Sequence, residues 1–304
     1  MSQNPAKQAA LVIAAYGKRG RLLLNDGTET GFLLKGRKLK PVCGDIVIWS
    51  QPDTGTDMIL ESIEERRNTL RRPDRKGNAA PLAANLDLLL VVIASQPKPD
   101  FFLTDRYIAA AHSMGCDAVI LRNKTDLPGK LDTATEQELL AYGKLGYSTA
   151  LTSTKLTQGI DDVAAHLAGH TGMLVGQSGV GKSSLINALL PSATVAVAEL
   201  SSGTLEGRHT TTASVMHRLP ENGWLIDSPG VRDFLPYFAD VRAVQAGFIE
   251  IMSAAADCRF ANCQHLREPG CNVKSGVEDG VISARRYESY KRLYHMTEGA
   301  QMEP

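Results

Sequence analysis

One short segment has the residue types and the spacing of a phosphate-binding loop. The pattern G-x-x-x-x-G-K-[ST] runs from Gly176 to Ser183, between an apolar strand and a predicted helix over Ser184–Leu190. Its glycines let backbone N–H groups surround phosphate oxygens, Lys182 supplies a charge that can act in catalysis, and Ser183 supplies a ligand for Mg²⁺. A chance match is on the order of 1% in a chain of this length. The residues predicted to contact a nucleotide are Gly176, Gln177, Ser178, Gly179, Val180, Gly181, Lys182, Ser183 and Ser184.

A second phosphate signal follows the last apolar strand of this region. Asp227-Ser228-Pro229-Gly230 fits the pattern D-x-x-G. At the end of a strand, Asp227 can hold Mg²⁺ through water, and the Gly230 N–H can sense a γ-phosphate. Taken alone, these four residues are more often a plain turn. Downstream of a phosphate-binding loop, the nucleotide-binding reading is favoured.

Two further loops have side chains suited to a guanine base. Asn123-Lys124-Thr125-Asp126 follows an apolar strand, and the Asp126 carboxylate can accept hydrogen bonds from N1–H and N2–H₂ of guanine, which adenine does not offer. Asn123 can brace the loop, and the Lys124 stem can cover the base. After the next strand, the segment 152–155 can offer backbone N–H groups to the guanine carbonyl. The predicted base-binding residues are Asn123, Lys124, Thr125, Asp126, Thr152 and Ser153.

The order of these motifs indicates a circular permutation. An ordinary G domain runs from the phosphate-binding loop through D-x-x-G to N-K-x-D, whereas here N-K-T-D comes first and D-S-P-G last. Joining the old termini and cutting the chain after D-x-x-G gives this order with the same closed sheet. One consequence is mechanical, because Asp227–Gly230 now leads directly into the C-terminal region.

Three cysteines and one histidine near the C-terminus are suited to a structural metal. The spacing C-x4-C-x-H-x5-C supplies four tetrahedral ligands for one Zn²⁺, which leaves no open position for catalysis. Unrelated buried cysteines are the alternative. Cys43 and Cys116 read as isolated reduced thiols. The predicted ligands are Cys258, Cys263, His265 and Cys271.

Short strands and then alternating elements must position these groups. The first part of the chain has five brief strands separated by turn residues, which predict a small barrel of the OB type, with an SH3-like barrel as the alternative. From residue 85 onward, buried strands alternate with helices, one of which has Thr104 as its candidate N-cap, so we expect a parallel sheet covered on both faces. The predicted domains are a barrel over 1–68, a basic connector over 69–84, a permuted G domain over 85–236 and a helical zinc-binding domain over 237–304.

The formal charge of the chain is zero, but it is unevenly distributed. Residues 1–80 carry 14 basic and 9 acidic side chains, residues 81–236 carry 11 and 15, and the remainder carries 8 and 9. The barrel and connector are therefore where an RNA partner is expected. On the terminal helix, the basic residues suggest either an RNA contact or a solvated face; they are Arg285, Arg286, Lys291 and Arg292. The longest apolar run is far short of the roughly 20 residues of a membrane helix, and without a convincing secretory signal a cytoplasmic location is expected.

Taken together, these motifs resemble the RsgA (YjeQ) family of circularly permuted GTPases that depend on the small ribosomal subunit. The likeness covers nearly the whole chain, from the barrel to the Cys/His cluster, and includes Gly207-Arg208-His209-Thr210-Thr211-Thr212. It implies an OB-fold, a permuted G domain and a zinc domain. It also implies a GTPase of late small-subunit (30S) maturation, which binds GTP or GDP and 16S rRNA. A monomer is expected.

The resemblance also implies a switch segment over Gly207–Thr212. One of its threonines should bind Mg²⁺ and sense the γ-phosphate; Thr211 is favoured, although three consecutive threonines leave the choice open. Many GTPases place a water-orienting Gln directly after D-x-x-G, but here that position is Val231. His209 is the candidate for this role, and a solvent-exposed histidine is the alternative. Slow turnover that the subunit accelerates is therefore predicted.

Two other functions are compatible with parts of this pattern. The first is a nucleotide-gated rRNA-binding checkpoint factor, in which hydrolysis is only a release timer. The second is an ATP-dependent P-loop kinase, which the guanine-selective segment Asn123–Asp126 disfavours.

Overall fold

The N-terminal strands close into a small barrel. A computed structural model describes residues 8–36, 38–51, 57–74, 76–127, 133–190, 214–228 and 234–302. In the barrel, β1 pairs with β2 and β4, β2 with β3, and β5 with β3 and β4; only the β3–β5 pair is parallel. This is the arrangement of an OB-type barrel, as predicted. Inward side chains such as Val12, Phe32 and Val47 fill it. The strands are β1 (Gln8–Tyr16), β2 (Arg19–Leu24), β3 (Glu29–Leu33), β4 (Ile46–Ser50) and β5 (Met58–Ile63).

The basic segment that follows the barrel contains an antiparallel hairpin, β6 (Thr69–Pro73) and β7 (Ala79–Ala84). These strands were not predicted from the sequence, because alanine, proline and arginine give them no clear alternation. Just before β6, Arg66 forms two charged hydrogen bonds of 2.6 and 2.7 Å with the fully buried Asp45. Arg66 therefore anchors this segment to the barrel.

The central sheet has the spatial order β10-β9-β8-β11-β13-β12, in which all pairs are parallel except β12–β13. Every residue of β8 is buried, as expected for a strand covered on both faces. At the sheet edge, β12 also pairs with β1, so the barrel and the central sheet are continuous. The strands are β8 (Leu88–Ala94), β9 (Asp117–Asn123), β10 (Ser148–Leu151), β11 (Thr171–Gly176), β12 (Ser214–Arg218) and β13 (Trp224–Asp227).

Four helices cover this sheet: α1 (Phe101–Ser113), α2 (Thr133–Lys144), α3 (Ile160–Leu167) and α4 (Lys182–Leu189). The N-cap of α1 is Asp100, whose carboxylate accepts from the Leu103 N–H at 3.1 Å. The prediction that Thr104 caps this helix was wrong. The apolar residues before Thr104 continue the helix by one turn, because Asp100 is an equally good cap. The Thr104 side chain is buried and donates to the Asp100 carbonyl.

The C-terminal region adds four more helices, α5 (Val241–Ala246), α6 (Ile249–Ala255), α7 (Asn272–Glu278) and α8 (Ala284–Met302), of which α5 and α8 pack against α1. Its core is rich in aromatic side chains, among them Phe248 and Tyr290. No helix in the described ranges is long and apolar enough to cross a membrane.

Arg285 and Arg286 lie neither on an RNA surface nor on a solvated helix face. Arg286 is only 1% exposed and bonds with Asp105 and Glu250, and Arg285 bonds with Asp105 at 2.5 Å. Both expectations for these arginines were wrong, because helix α8 turns this face toward α1 and α6. The two side chains therefore hold the C-terminal region against the central sheet.

Candidate functional site

The carboxyl ends of the parallel strands bring the predicted nucleotide motifs to one edge of the sheet. β9 ends at Asn123, β11 at Gly176 and β13 at Asp227, while Thr152 directly follows β10. Ligands of open α/β sheets bind outside this edge. The described part of every predicted nucleotide motif therefore reaches the edge where a nucleotide would bind.

The phosphate-binding loop connects β11 to α4. Lys182 donates from Nζ to the carbonyls of Gly176 and Gln177 at 2.6 and 2.7 Å, so its charge lies against the loop. Ser183 and Ser184 are exposed in the first turn of α4, where the helix N-terminus favours anions.

Two glycines of this loop are required by close contacts. Gly176 and Gly181 have φ angles of +133° and +97°, which favour glycine. A Cβ at Gly176 would collide with the Val92 carbonyl, and a Cβ at Gly181 would collide with the side-chain amide of Asn123. The glycine spacing thus serves packing against two neighbouring strands as well as phosphate binding.

Asn123 joins the phosphate-binding loop to both base loops. Its amide donates from Nδ2 to the Val180 carbonyl at 2.9 Å, and its Oδ1 accepts from the Thr152 hydroxyl at 3.0 Å. Lys124 extends along the same loop and donates to the Gly179 carbonyl at 2.5 Å and the Gln96 carbonyl at 3.1 Å. The three segments are therefore one hydrogen-bonded unit, although they are up to 57 residues apart in sequence.

Asp126 is the acceptor suited to guanine. Its Oδ1 accepts from the Ser153 hydroxyl at 2.6 Å, and Lys155 lies 3.6 Å from its Oδ2. The hydrogen bond from Ser153, with a contribution from Lys155, lowers the pKa of Asp126. The carboxylate is thus ionised at neutral pH and ready to accept.

The two base loops are also connected directly. Thr125 donates to the Thr152 carbonyl from both its backbone N–H and its hydroxyl, each at 3.2 Å. Gln158 closes the second loop by two backbone bonds to Ser153 and contacts the Thr125 hydroxyl. Sequence reasoning missed Gln158 and Gln96, because a residue that acts through its backbone or across a loop has no local signature.

The D-x-x-G segment is described only at its start. Asp227 is half-buried and pairs with Val215 of β12, and the buried Ser228 side chain hydrogen-bonds to Ser214 at 2.8 Å. His209, Thr211 and Gly230 lie outside the described residues. Their roles stay predictions, as do the roles of the other site residues in binding a nucleotide.

Cys258, Cys263, His265 and Cys271, called here the metal cluster, converge beside α8, with all four ligand atoms within 4.8 Å of one another. Nδ1 of His265 is 3.5 Å from two of the sulfurs, which are 4.0 Å apart. A tetrahedral zinc site with bonds of about 2.3 Å to sulfur and 2.0 Å to nitrogen has S···S edges of about 3.8 Å and S···N edges of about 3.5 Å. The metal cluster therefore fits a tetrahedral metal ion.

Neighbouring groups orient the metal cluster. His265 has a left-handed φ of +60°; its carbonyl accepts from the Tyr287 hydroxyl at 2.5 Å, and its Nε2 contacts the Gln245 amide at 2.5 Å. Glu268 accepts from three backbone N–H groups of the same turn. Such partners fix the ring orientation of a ligating histidine. Burial raises the pKa of Cys263 to about 12, so a bound cation would be needed to hold its thiolate.

A parallel sheet with a G-K-S loop, two base loops and a D-x-x-G strand end, in permuted order, defines a circularly permuted P-loop GTPase. The family model described as RsgA GTPase matches residues 63–235. The chain belongs to the RsgA family and is a GTPase.

Relatives and solved structures share nearly the full length of the chain. The small ribosomal subunit biogenesis GTPase RsgA of Hahella chejuensis is 39% identical over 293 residues, which cover 95% of this chain and 84% of that protein. The Pseudomonas syringae pv. tomato protein of the same name is 39% identical over 94% and 85%. YjeQ from Thermotoga maritima superposes with a TM-score of 0.74 at 27% identity, covering 96% of this chain and 99% of that one. YloQ, described as a circularly permuted GTPase, has a TM-score of 0.71 at 27% identity, with 98% of each chain covered.

Proposed function

We propose that this chain hydrolyses GTP to GDP and phosphate during late maturation of the small (30S) ribosomal subunit, and that the subunit stimulates turnover. The observation that best supports this function is the hydrogen-bonded unit around Asn123, which joins the phosphate-binding loop to both base loops. The names of the relatives support the small subunit as the target. Ribosome assembly also supports a cytoplasmic location.

We assign recognition of the guanine base to the two base loops and recognition of the phosphates to the phosphate-binding loop. The ionised Asp126 accepts from guanine N1–H and N2–H₂, with Ser153 holding the carboxylate in place. The backbone N–H groups of residues 176–184 and the charge of Lys182 hold the phosphates. The full set of base-binding residues is Asn123, Lys124, Thr125, Asp126, Thr152 and Ser153.

Hydrolysis is assigned to the phosphate end of the site. Lys182 neutralises charge that develops on the phosphates, and His209 orients the attacking water, because Val231 has no polar group for that task. Ser183, Thr211 and Asp227 would hold Mg²⁺, which supplies further charge neutralisation when bound. The Gly230 N–H senses the γ-phosphate.

The flanking regions are proposed to bind the subunit. One Zn²⁺ held by the metal cluster would stabilise the C-terminal turn, and zinc is supported by the three sulfurs and one nitrogen at tetrahedral spacing. The excess of basic residues over 1–80 supports contact with 16S rRNA. We further propose a monomer with domains over 1–68, 69–84, 85–236 and 237–304.

The test is the rate of GTP hydrolysis with and without purified small subunits. We expect strong stimulation in the wild-type protein, loss of both rates in Lys182→Ala, and loss of the stimulated rate in His209→Ala. Lys144→Ala, at an exposed position of α2, is the matched control and should behave as wild type. Equal rates with and without subunits would refute stimulation, and tighter binding of ATP than of GTP would refute the guanine site.

A further inference from the structure

The chain that leaves the predicted D-x-x-G loop is held by two neighbouring side chains of α1. Tyr107 donates from its hydroxyl to the Phe234 carbonyl at 2.8 Å, and Arg106 donates from Nη2 to the Pro236 carbonyl at 3.0 Å. The rings of Tyr107 and Phe234 also meet edge to face, with centroids 5.5 Å apart. Phe234 is the first described residue after the loop. Helix α1 therefore determines where the chain emerges from it.

The burial of Arg106 is costly for stability. Arg106 is 7% exposed, and its Nε and Nη1 have no hydrogen-bond partner among the described residues. Burial lowers the pKa of Arg106 to about 10, and the nearby Arg292 contributes in the same direction. By contrast, Arg286 in the same interface pairs with two carboxylates. A buried charge without such a partner costs free energy, so the bond to Pro236, rather than fold stability, is what the Arg106 side chain provides.

The same helix contacts the phosphate-binding loop at its N-terminal end. The Asp100 N–H donates to the side-chain carbonyl of Gln177 at 3.3 Å, and Asp100 is the N-cap of α1. Arg106 and Tyr107 lie about 9 Å further along the helix axis. One helix thus contacts both the phosphate-binding loop and the chain that follows the predicted D-x-x-G segment.

We propose that Arg106 and Tyr107 are positioning residues for GTP hydrolysis, which hold the chain that follows the predicted D-x-x-G segment against α1, and so relative to the phosphate-binding loop, by binding the Phe234 and Pro236 carbonyls. The inference rests on the proposed function, since it takes Asp227–Gly230 as the loop that senses the γ-phosphate. GDP lacks that phosphate, so loss of these bonds affects GTP turnover and not GDP binding. Displacing a reacting group by about 1 Å costs up to about a hundredfold in rate.

The test compares Tyr107→Phe and Arg106→Met with the wild-type protein. Tyr107→Phe removes only a hydroxyl, and Arg106→Met keeps an unbranched side chain but removes every donor. Tyr142→Phe is the matched control, because its buried hydroxyl also bonds to α1, at Asp105, but not to residues 234–236. The measurements are GTP hydrolysis at saturating GTP with small subunits present, GDP affinity, and the temperature of unfolding.

We expect both variants to hydrolyse GTP at least about tenfold more slowly, with GDP affinity unchanged. Arg106→Met should unfold at or above the wild-type temperature, because it removes a buried charge that has no carboxylate partner in the described part of the chain. Tyr142→Phe should keep the wild-type rate. Wild-type rates in both variants would overturn the inference. So would slower hydrolysis accompanied by a lower unfolding temperature and a lower GDP affinity, if Tyr142→Phe shows the same losses. If the wild-type protein itself shows no GTPase activity, or if Lys182→Ala leaves that activity intact, the proposed function fails instead.

Discussion

Replacing Asp105 with alanine removes the carboxylate that three buried or half-buried groups share. Asp105 is fully buried on α1 and accepts from Tyr142 at 2.5 Å, from Arg285 at 2.5 Å and from Arg286 at 2.7 Å. Both arginines belong to α8, so the carboxylate connects the central sheet region with the C-terminal region. We expect Asp105→Ala to lower the stability of the folded chain substantially.

The expected loss of folding free energy depends on the hydrogen bonds that each donor keeps after the substitution. Arg286 keeps two bonds to Glu250 but loses a charged hydrogen bond, worth about 1.5–3 kcal/mol. Tyr142 is left with a buried hydroxyl that has lost its acceptor, which costs about 1–3 kcal/mol. Arg285 is 27% exposed and can turn toward water, so its loss is below about 1 kcal/mol. The total agrees with the roughly 3–5 kcal/mol found when one partner of a buried ion pair is removed.

The assay is thermal unfolding followed by circular dichroism. At about 2.1 cal/mol/K per residue, the unfolding entropy of this chain is about 0.6 kcal/mol/K, so the loss corresponds to a fall of about 5–8 °C. The fall should persist in about 1 M salt, because buried pairs are poorly screened. Asp117→Ala, at an exposed carboxylate, is the control. A change no larger than that of the control, or one abolished by salt, would show that the network contributes little to stability.

Four further predictions concern the site and the thiols. Asp126→Asn should weaken GTP binding and favour a xanthine nucleotide in competition assays, since an amide donor replaces a carboxylate acceptor; unchanged GTP selectivity would contradict the base assignment. Gly181→Ala should reduce GTP affinity more than Gly179→Ala, because both positions have positive φ but only the former directs a Cβ into Asn123, whereas equal effects would point to backbone strain alone. Burial raises the pKa of Cys43 to about 12, so little thiolate is present at about pH 8. Iodoacetamide should therefore not modify Cys43 in the native protein at that pH, and the reactivity of Cys43 should rise as the pH approaches its pKa. The cysteines of the metal cluster should react with iodoacetamide once a chelator is added, with the number of modified cysteines counted by mass spectrometry. Their reaction without chelator would argue against a bound metal.

Local chemistry explains why the motifs were predictable. The phosphate-binding loop and N-K-T-D each lie within eight residues of sequence or fewer, and the metal cluster lies within 14. Their donor types indicate the ligand class. The alternation of strands and helices likewise predicts a parallel sheet, because each element is apolar along its own length. The parallel β3–β5 pair, by contrast, decides between the two barrel types and depends on contacts between separate strands.

Residue type alone did not predict what the arginines do. Arg66 and Arg286 both come from basic segments that suggest RNA, but each side chain pairs with a carboxylate that is distant in sequence. A helix or turn rich in charge shows which groups must be solvated or paired, not which of these two solutions the fold adopts. That choice depends on desolvation, and desolvation depends on which element packs against the segment.

The sequence by itself determined two donor sets: the permuted motifs, which suit a guanine nucleotide, and three cysteines with a histidine, which suit a tetrahedral metal. Both donor sets depend on residue type and short spacing, which are the same in any fold that exposes the motifs. Only the tertiary structure decided how the motifs are joined. Asn123 contacts Val180, and Tyr107 contacts Phe234, across more than fifty residues. Such contacts exist only once the sheet order and the packing of α1 bring distant segments together.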